Sequence, residues 1–317
     1  MRRALSLLFA GTAIALFACS GDDGGASVSP EGACDDYASA ICERIEACAP
    51  FYLKLGLSTR DQCMARFKIN CPSVFTATGT SATPTRLAQC ATDARSLSCD
   101  DVFGRNTPAS CRFEPGELAD GAACGTDAQC KNKLCRLPAS NTCGACSTPG
   151  TAGAACERNE DCDAGLGCAQ KKCVAFGKAG AKCDAATPCI ATYSCVGGVC
   201  AIPLEAGATC TPSLNFSENP CNFLKGLFCH TKNNVCATVD LVAPGSPCGF
   251  INDTIVGCSA GDCKTDALGK GTCVAKAADG ATCETETSGN GERLPKCQDP
   301  ARCVSGVCKI TDPAACK

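Results

Sequence analysis

The chain has 317 residues, of which 35 are cysteine, about one in nine, above the ~8–10% at which composition points to a disulfide scaffold. Thiols at that density persist as bonds only in an oxidising compartment, which excludes an ordinary cytosolic enzyme. Lys+Arg at 29 against Asp+Glu at 32 leave a net charge of −3 with no long block of either sign, so no nucleic-acid partner is expected.

The N-terminus carries Arg2-Arg3, an uncharged apolar stretch from Ala4 to Phe17, and a small residue before Cys19, the three-part pattern of a secretory signal. The stretch is too short for a transmembrane helix, which needs about twenty apolar residues. The chain then turns at once to Ser20-Gly21-Asp22-Asp23-Gly24-Gly25, a polar flexible tether. Leu16-Phe17-Ala18-Cys19 resembles the lipobox of bacterial lipoproteins, with Phe17 an uncommon occupant of its place. The resemblance implies cleavage after residue 18 and lipidation of Cys19, with two or more acyl chains giving stable membrane anchoring. Because Ser20 and not Asp follows the cysteine, it implies an outer-membrane lipoprotein, surface-exposed or periplasm-facing. The alternatives are a plain secretory signal cleaved elsewhere and twin-arginine export, whose further residues do not match.

After the tether (19–33), residues 34–113 read as a helical disulfide-rich domain with eight cysteines at irregular spacing. Tyr37, Ile41 and Ile45 recur every four residues beside Cys34, Cys42 and Cys48, with Pro50 closing the segment. Ser58-Thr59-Arg60-Asp61 reads as a helix start, after which Cys63, Phe67 and Cys71 fall on one face. Thr83-Pro84 opens another helix through Leu87, Cys90 and Ala94. Cysteines on apolar faces suggest helix-to-helix bridges, four bonds in all.

From residue 114 the spacing becomes regular. An irregular first repeat (114–150) holds Cys124, Cys130, Cys135, Cys143 and Cys146, and 151–317 holds five four-cysteine repeats with a C-terminal tail. Their cysteines are Cys156, Cys162, Cys168, Cys173; Cys183, Cys189, Cys195, Cys200; Cys210, Cys221, Cys229, Cys236; Cys248, Cys258, Cys263, Cys273; and Cys283, Cys297, Cys303, Cys308. Gly121, Gly153, Gly180, Gly207, Gly245 and Gly280 each stand three residues before a first cysteine, so six units form a tandem array. Cys195-Val196-Gly197-Gly198-Val199-Cys200 reads as a hairpin with its two cysteines facing each other. Bonding that pair would close a very short loop. Interleaved pairing, first with third and second with fourth, closes loops of about twelve residues worth roughly 3 kcal/mol each, and is the expectation, although three pairings are open to the sequence. Cys146 and Cys316 are left as odd members, expected to bond to each other. The fold class is thus small and disulfide-rich: a stapled helical domain, then short β-hairpin modules.

Asp161-Cys162-Asp163-Ala164-Gly165-Leu166-Gly167-Cys168, with Cys156 before and Cys173 after, resembles the N-terminal cysteine-rich domain of Dickkopf proteins, whose relatives occur in bacterial cysteine-rich lipoproteins. Gly226-Leu227-Phe228-Cys229 repeats a fragment of it. The match is specific over 156–173 and 183–200, loose over 210–308 and absent before residue 120. In animals that family binds receptors and does not catalyse, which implies a class of role and no particular partner.

Chemistry-bearing motifs are few. His230, the single His, lies beside Cys229 without a nucleophile motif. No phosphate loop, dinucleotide fingerprint or zinc helix is present, so no catalytic residue, cofactor or metal ligand is assigned. Cys143-Gly144-Ala145-Cys146 has redox spacing but sits in a turn-rich stretch and reads as structural. Asn159, Asp161 and Asp163 echo a calcium loop without its Gly and Glu, and read as turn formers. Asn215-Phe216-Ser217 and Asn252-Asp253-Thr254 are sequons that matter only on a eukaryotic route. Phe223, Phe228 and Phe250 are read as packing residues.

The expected function is a non-enzymatic, membrane-anchored envelope lipoprotein whose elongated array contacts an extracellular protein or polymer. A protease inhibitor presenting loops 211–220 and 284–296 is the alternative, and thiol or metal chemistry a third.

Overall fold

The computed structural model describes residues 27–138, 141–212, 219–252, 254–265, 270–284 and 296–317. The expected signal peptide, Cys19, most of the tether and the sequon at Asn215 lie outside them. The protein is disulfide-rich, helical in its N-terminal region and built of small β-sheets thereafter.

Five helices make the N-terminal region: α1 (Pro30–Cys48), α2 (Pro50–Gly56), α3 (Arg60–Lys68), α4 (Pro84–Ala94) and α5 (Cys99–Phe103). Helix α1 begins inside the stretch expected to be tether, because Ser29 caps it through the Gly32 N–H and Pro30 takes the first helical position. Thr59 and Thr83 cap α3 and α4 in the same way. Helix α3 stops before Cys71: Ile69 turns extended and Asn70 takes φ 56°, so Cys71 leads into a 3-10 turn at Pro72–Phe75. Helices α1 and α4 meet through small side chains, Ala40 against Ala91 and Ala94, all fully buried, with Tyr37, Ile41 and Leu97 alongside. The eight cysteines form the four expected internal bonds, Cys34–Cys71, Cys42–Cys63, Cys48–Cys99 and Cys90–Cys111.

Six units follow with one shared set of bonds. In each, the glycine three residues before the first cysteine donates its N–H to the carbonyl of the fourth cysteine at 2.8 Å: Gly121 to Cys146, Gly153 to Cys173, Gly180 to Cys200, Gly207 to Cys236, Gly245 to Cys273 and Gly280 to Cys308. The fourth cysteine's N–H returns to the carbonyl of the residue after that glycine. Six residues before each first cysteine, a lead-in residue bridges the second cysteine in parallel, from Leu118 with Cys130 to Ala277 with Cys297. Third and fourth cysteines face each other across the strands, as Cys195 and Cys200 do, yet each bonds backward. The pairing is interleaved in all six units, for example Cys156–Cys168 with Cys162–Cys173 and Cys183–Cys195 with Cys189–Cys200. Unit five is the most elaborated, a five-stranded sheet in the order Asp240–Val242, Thr254–Cys258, Pro247–Ile251, Lys270–Ala275, Gly261–Thr265.

The unit glycines have φ between 79° and 87°, and a Cβ placed on any of them would meet nothing within 4 Å. Their requirement is conformational. We expect Gly153→Ala to cost about 1–2 kcal/mol, the left-handed penalty for an L side chain, in denaturant melts. Gly153→Asn should cost less, since Asn tolerates that region.

One pairing differs from expectation. Cys146 does not join Cys316; it bonds Cys130, and Cys143 joins Cys316 across 173 residues. Cys146 lies in the strand Gly144–Ser147 opposite Cys135 and holds the hydrogen bonds of a fourth cysteine, which leaves Cys143, before that strand, free to reach the tail.

That bond also overturns the elongated array, because the first unit is tied to the C-terminus. The array lies back on the helical region, which touches every unit. Ser81 donates its N–H to Ala128 O in unit one, and Arg105 donates to Asn159 O and Leu166 O in unit two. In unit three Thr192 and Tyr193 donate their hydroxyls to Asp100 of α5, each at 2.6 Å. Phe51 of α2 packs edge-on against Phe223 of unit four, and Lys54 O accepts the Ala260 N–H of unit five. Arg66 of α3 clasps unit six, bidentate on Asp279 at 2.7 and 2.9 Å, with further donors on Asp299 O and Gln298 O.

Candidate functional site

The residues singled out in the sequence resolve mostly into structure. Asp161, 3% exposed, accepts the Glu157 and Arg158 N–H groups at 2.8 and 3.1 Å and pairs with Arg136 of the preceding unit at 3.2 Å. Asn159 Oδ1 accepts the Cys168 N–H and Asp163 Oδ1 the Ala164 N–H. All three are turn formers, as expected. Unit one fills the equivalent places with Gln129, which accepts the Gly125 and Thr126 N–H groups, and Asp127, which accepts the Cys135 N–H at 2.7 Å.

Those places differ in charge balance. Burial pushes the Asp161 carboxyl up, but two backbone N–H groups, Arg136 and Arg158 outweigh it and hold it below the carboxylate range. Burial dominates at Asp127 and leaves it raised, with Glu160 adding to the effect and the Cys135 N–H opposing it. Asp161→Asn should therefore destabilise by about 1–2 kcal/mol at neutral pH, a cost present above the unfolded carboxylate pKa and lost as pH falls through the depressed folded value. Asp127→Asn keeps the oxygen acceptor, as Asn159 does, and removes a penalised charge. It should be neutral or stabilising at neutral pH, the gain vanishing as acid protonates the wild-type carboxyl. Thermal melts at neutral and acid pH check both signs.

Cys143 and Cys146 are both bonded and to different partners. His230 Nδ1 accepts the Lys232 N–H at 3.3 Å. Phe223 stacks edge-on with Phe51 and Phe228, at 5.6 and 5.4 Å, while Phe250 is 41% exposed. Asp253 of the second sequon, and most of loops 211–220 and 284–296, lie outside the described residues. Sulfurs crowd within the units, those of Cys124, Cys130 and Cys135 lying within 4.8 Å of one another, but they are joined as disulfides, and metal binding calls for thiolates. No helix among the described residues is long and apolar enough to cross a membrane.

The feature absent from the sequence reading is a cavity of about 770 Å³ where the helical region meets units one, five and six. Its body is apolar, formed by Tyr37, Ile45, Phe67, Leu87, Phe113 and Ile310 among others. Tyr52 and Phe67, which also line it, are 57% and 36% exposed. Four cations reach the wall. Arg66 is held by Asp279, Arg86 donates to Arg112 O and Ala109 O and pairs with Glu114, and Lys276 pairs with Asp299. Arg302 has no carboxylate within ion-pair distance among the described residues; its Nη1 donates to Pro138 O at 3.1 Å and, more weakly, to Leu137 O. Burial shifts two groups here: it pushes the Tyr37 phenol up and, with the like charge of Arg158 and against the weaker pull of Glu160, lowers Arg302. Both mark a poorly hydrated wall. The volume and lining suit a small apolar ligand.

No protein-family model, no curated protein and no solved structure matches this chain.

Proposed function

We propose that this chain is a non-enzymatic lipoprotein of the cell envelope, anchored by lipid on Cys19 at the outer membrane, whose folded part is a binding scaffold. The lipobox-like Leu16-Phe17-Ala18-Cys19 and the pairing of every cysteine from Cys34 onward support the compartment. Seventeen bonds take 34 of the 35 cysteines, and Cys19 is the one remaining. The resemblance of 156–173 to a receptor-binding module supports a binding role.

The observation that carries the binding reading is the central cavity. An open-sided cavity of about 770 Å³ falls within the ~300–1,000 Å³ of small-molecule sites, and most of its charged rim is already engaged in holding the fold. Protein purified from its own envelope and extracted with organic solvent should release an apolar molecule in stoichiometric amount, detected by mass spectrometry, and carry acyl mass on Cys19. An extract with no such molecule from protein that also fails to take up apolar probes would overturn the binding role. Protease treatment of intact cells decides between an outward and a periplasmic face.

A further inference from the structure

We infer that the central cavity takes an amphiphile with a long apolar body and a single anionic head, a long-chain carboxylate, with Arg302 as the headgroup anchor. This rests on the cavity being a binding site and adds the class of ligand.

Arg302 opens the strand Arg302–Val304 of unit six and lines the cavity beside Leu137. A partly buried cation is costly unless an anion or a full set of acceptors meets it. The other three cations of the wall have carboxylate partners, Asp279, Glu114 and Asp299. Arg302 has only two backbone carbonyls, both on one nitrogen, and the charged groups that act on it from a distance are Arg158 and, more weakly and in the opposite sense, Glu160, so no carboxylate among the described residues meets its guanidinium directly. A planar guanidinium with donors to spare is matched by a carboxylate, which it meets in paired hydrogen bonds.

One further group of the wall disfavours an anion beside it. Asp262 lines the same cavity on the strand Gly261–Thr265, and its Oδ2 is buried with no hydrogen-bond partner among the described residues. An unpartnered acceptor there repels an anionic group, so Arg302 is the member of the wall left to receive one. Between these groups run aromatic and aliphatic side chains from α1, α3, α4 and unit six, which hold an alkyl chain and offer nothing to a polar one.

Native mass spectrometry of the full mature protein, offered palmitic acid and methyl palmitate in equal amounts, tests the inference. The acid should occupy the protein about tenfold more strongly than the ester. Arg302→Gln should bring binding of the acid down to the level of the ester, an unchanged near-ultraviolet circular dichroism spectrum showing that the variant is folded, and Arg302→Lys should keep part of the preference. Ile310→Trp, which fills the cavity, should weaken both probes. Equal binding of acid and ester by the wild type overturns the anionic head and leaves the binding cavity standing. A preference that survives in Arg302→Gln overturns Arg302 as the anchor. Binding of neither probe overturns the cavity as a binding site and this inference with it.

Discussion

Replacing Cys143 and Cys316 together by serine lowers the melting midpoint by on the order of 10 °C, the largest loss expected for any single bond of the protein. A closed loop of 173 residues is worth about 5 kcal/mol by the chain-entropy estimate. The disulfides that lie between the two cysteines shorten that loop, but closure entropy follows the logarithm of length, so about 4 kcal/mol remains. At roughly 2–4 °C per kcal/mol for a chain of this size class, the shift follows. Removing a bond within a unit, such as Cys156–Cys168 with its separation of 12, should cost about 3 kcal/mol by the same estimate. The closing bond also fixes a wall of the cavity, because Gly125 lies against Pro313, and both line it. The double serine variant should therefore lose probe binding at temperatures where it is still folded. Paired melts by near-ultraviolet circular dichroism, with binding measured below both midpoints, check the two effects separately.

Gly226→Ala is the second large effect, at about 3–4 kcal/mol. Gly226 has φ 79°, and a Cβ there would lie 2.4 Å from the Phe51 ring. Left-handed strain contributes about 1–2 kcal/mol and overpacking a further 1–3 kcal/mol. Phe51 cannot move aside, since it is 6% exposed and its ring meets Phe223 edge-on at 5.6 Å. The two parts separate in a double-mutant cycle. Phe51→Ala alone should cost about 3–5 kcal/mol through the cavity it leaves. In that background Gly226→Ala should cost only the left-handed part, a coupling of about 2 kcal/mol. Additive costs would mean that α2 and unit four do not meet as described.

The repeating parts of the fold were legible because they are local. A glycine three residues before a cysteine, recurring six times, encodes one backbone conformation and one pair of hydrogen bonds, and the interleaved pairing follows from the loop lengths. Hairpin 168–173 reaches the same left-handed turn as 195–200 without glycine, with Gln170 and Lys171 at φ 46° and 61°, so the cysteine spacing was the better signal there. Helix starts at Thr59 and Thr83 were readable from their caps, whereas α2 and α5 were missed because seven and five residues are too few to show a periodic face.

What the sequence concealed is everything that joins distant segments. Nothing near Cys143 announces Cys316, and the choice between Cys143 and Cys146 rests on which lies opposite Cys135 in a strand. The cavity is hidden for the same reason. Tyr37, Phe67 and Leu87 read as helix faces awaiting a core, and Ile310 as a tail residue; only the return of unit six onto α3, through Arg66 and Asp279, sets them around one space. Arg302 looks like an ordinary strand residue until its neighbours are known.

The most direct measurement is disulfide mapping of protein taken from its own envelope, alkylated before and after reduction. The closed assembly predicts no label before reduction, 34 afterwards, a Cys143–Cys316 cross-linked peptide and acyl mass on Cys19. A Cys146–Cys316 peptide, or cysteines from Cys34 onward that take up label without reduction, would contradict it.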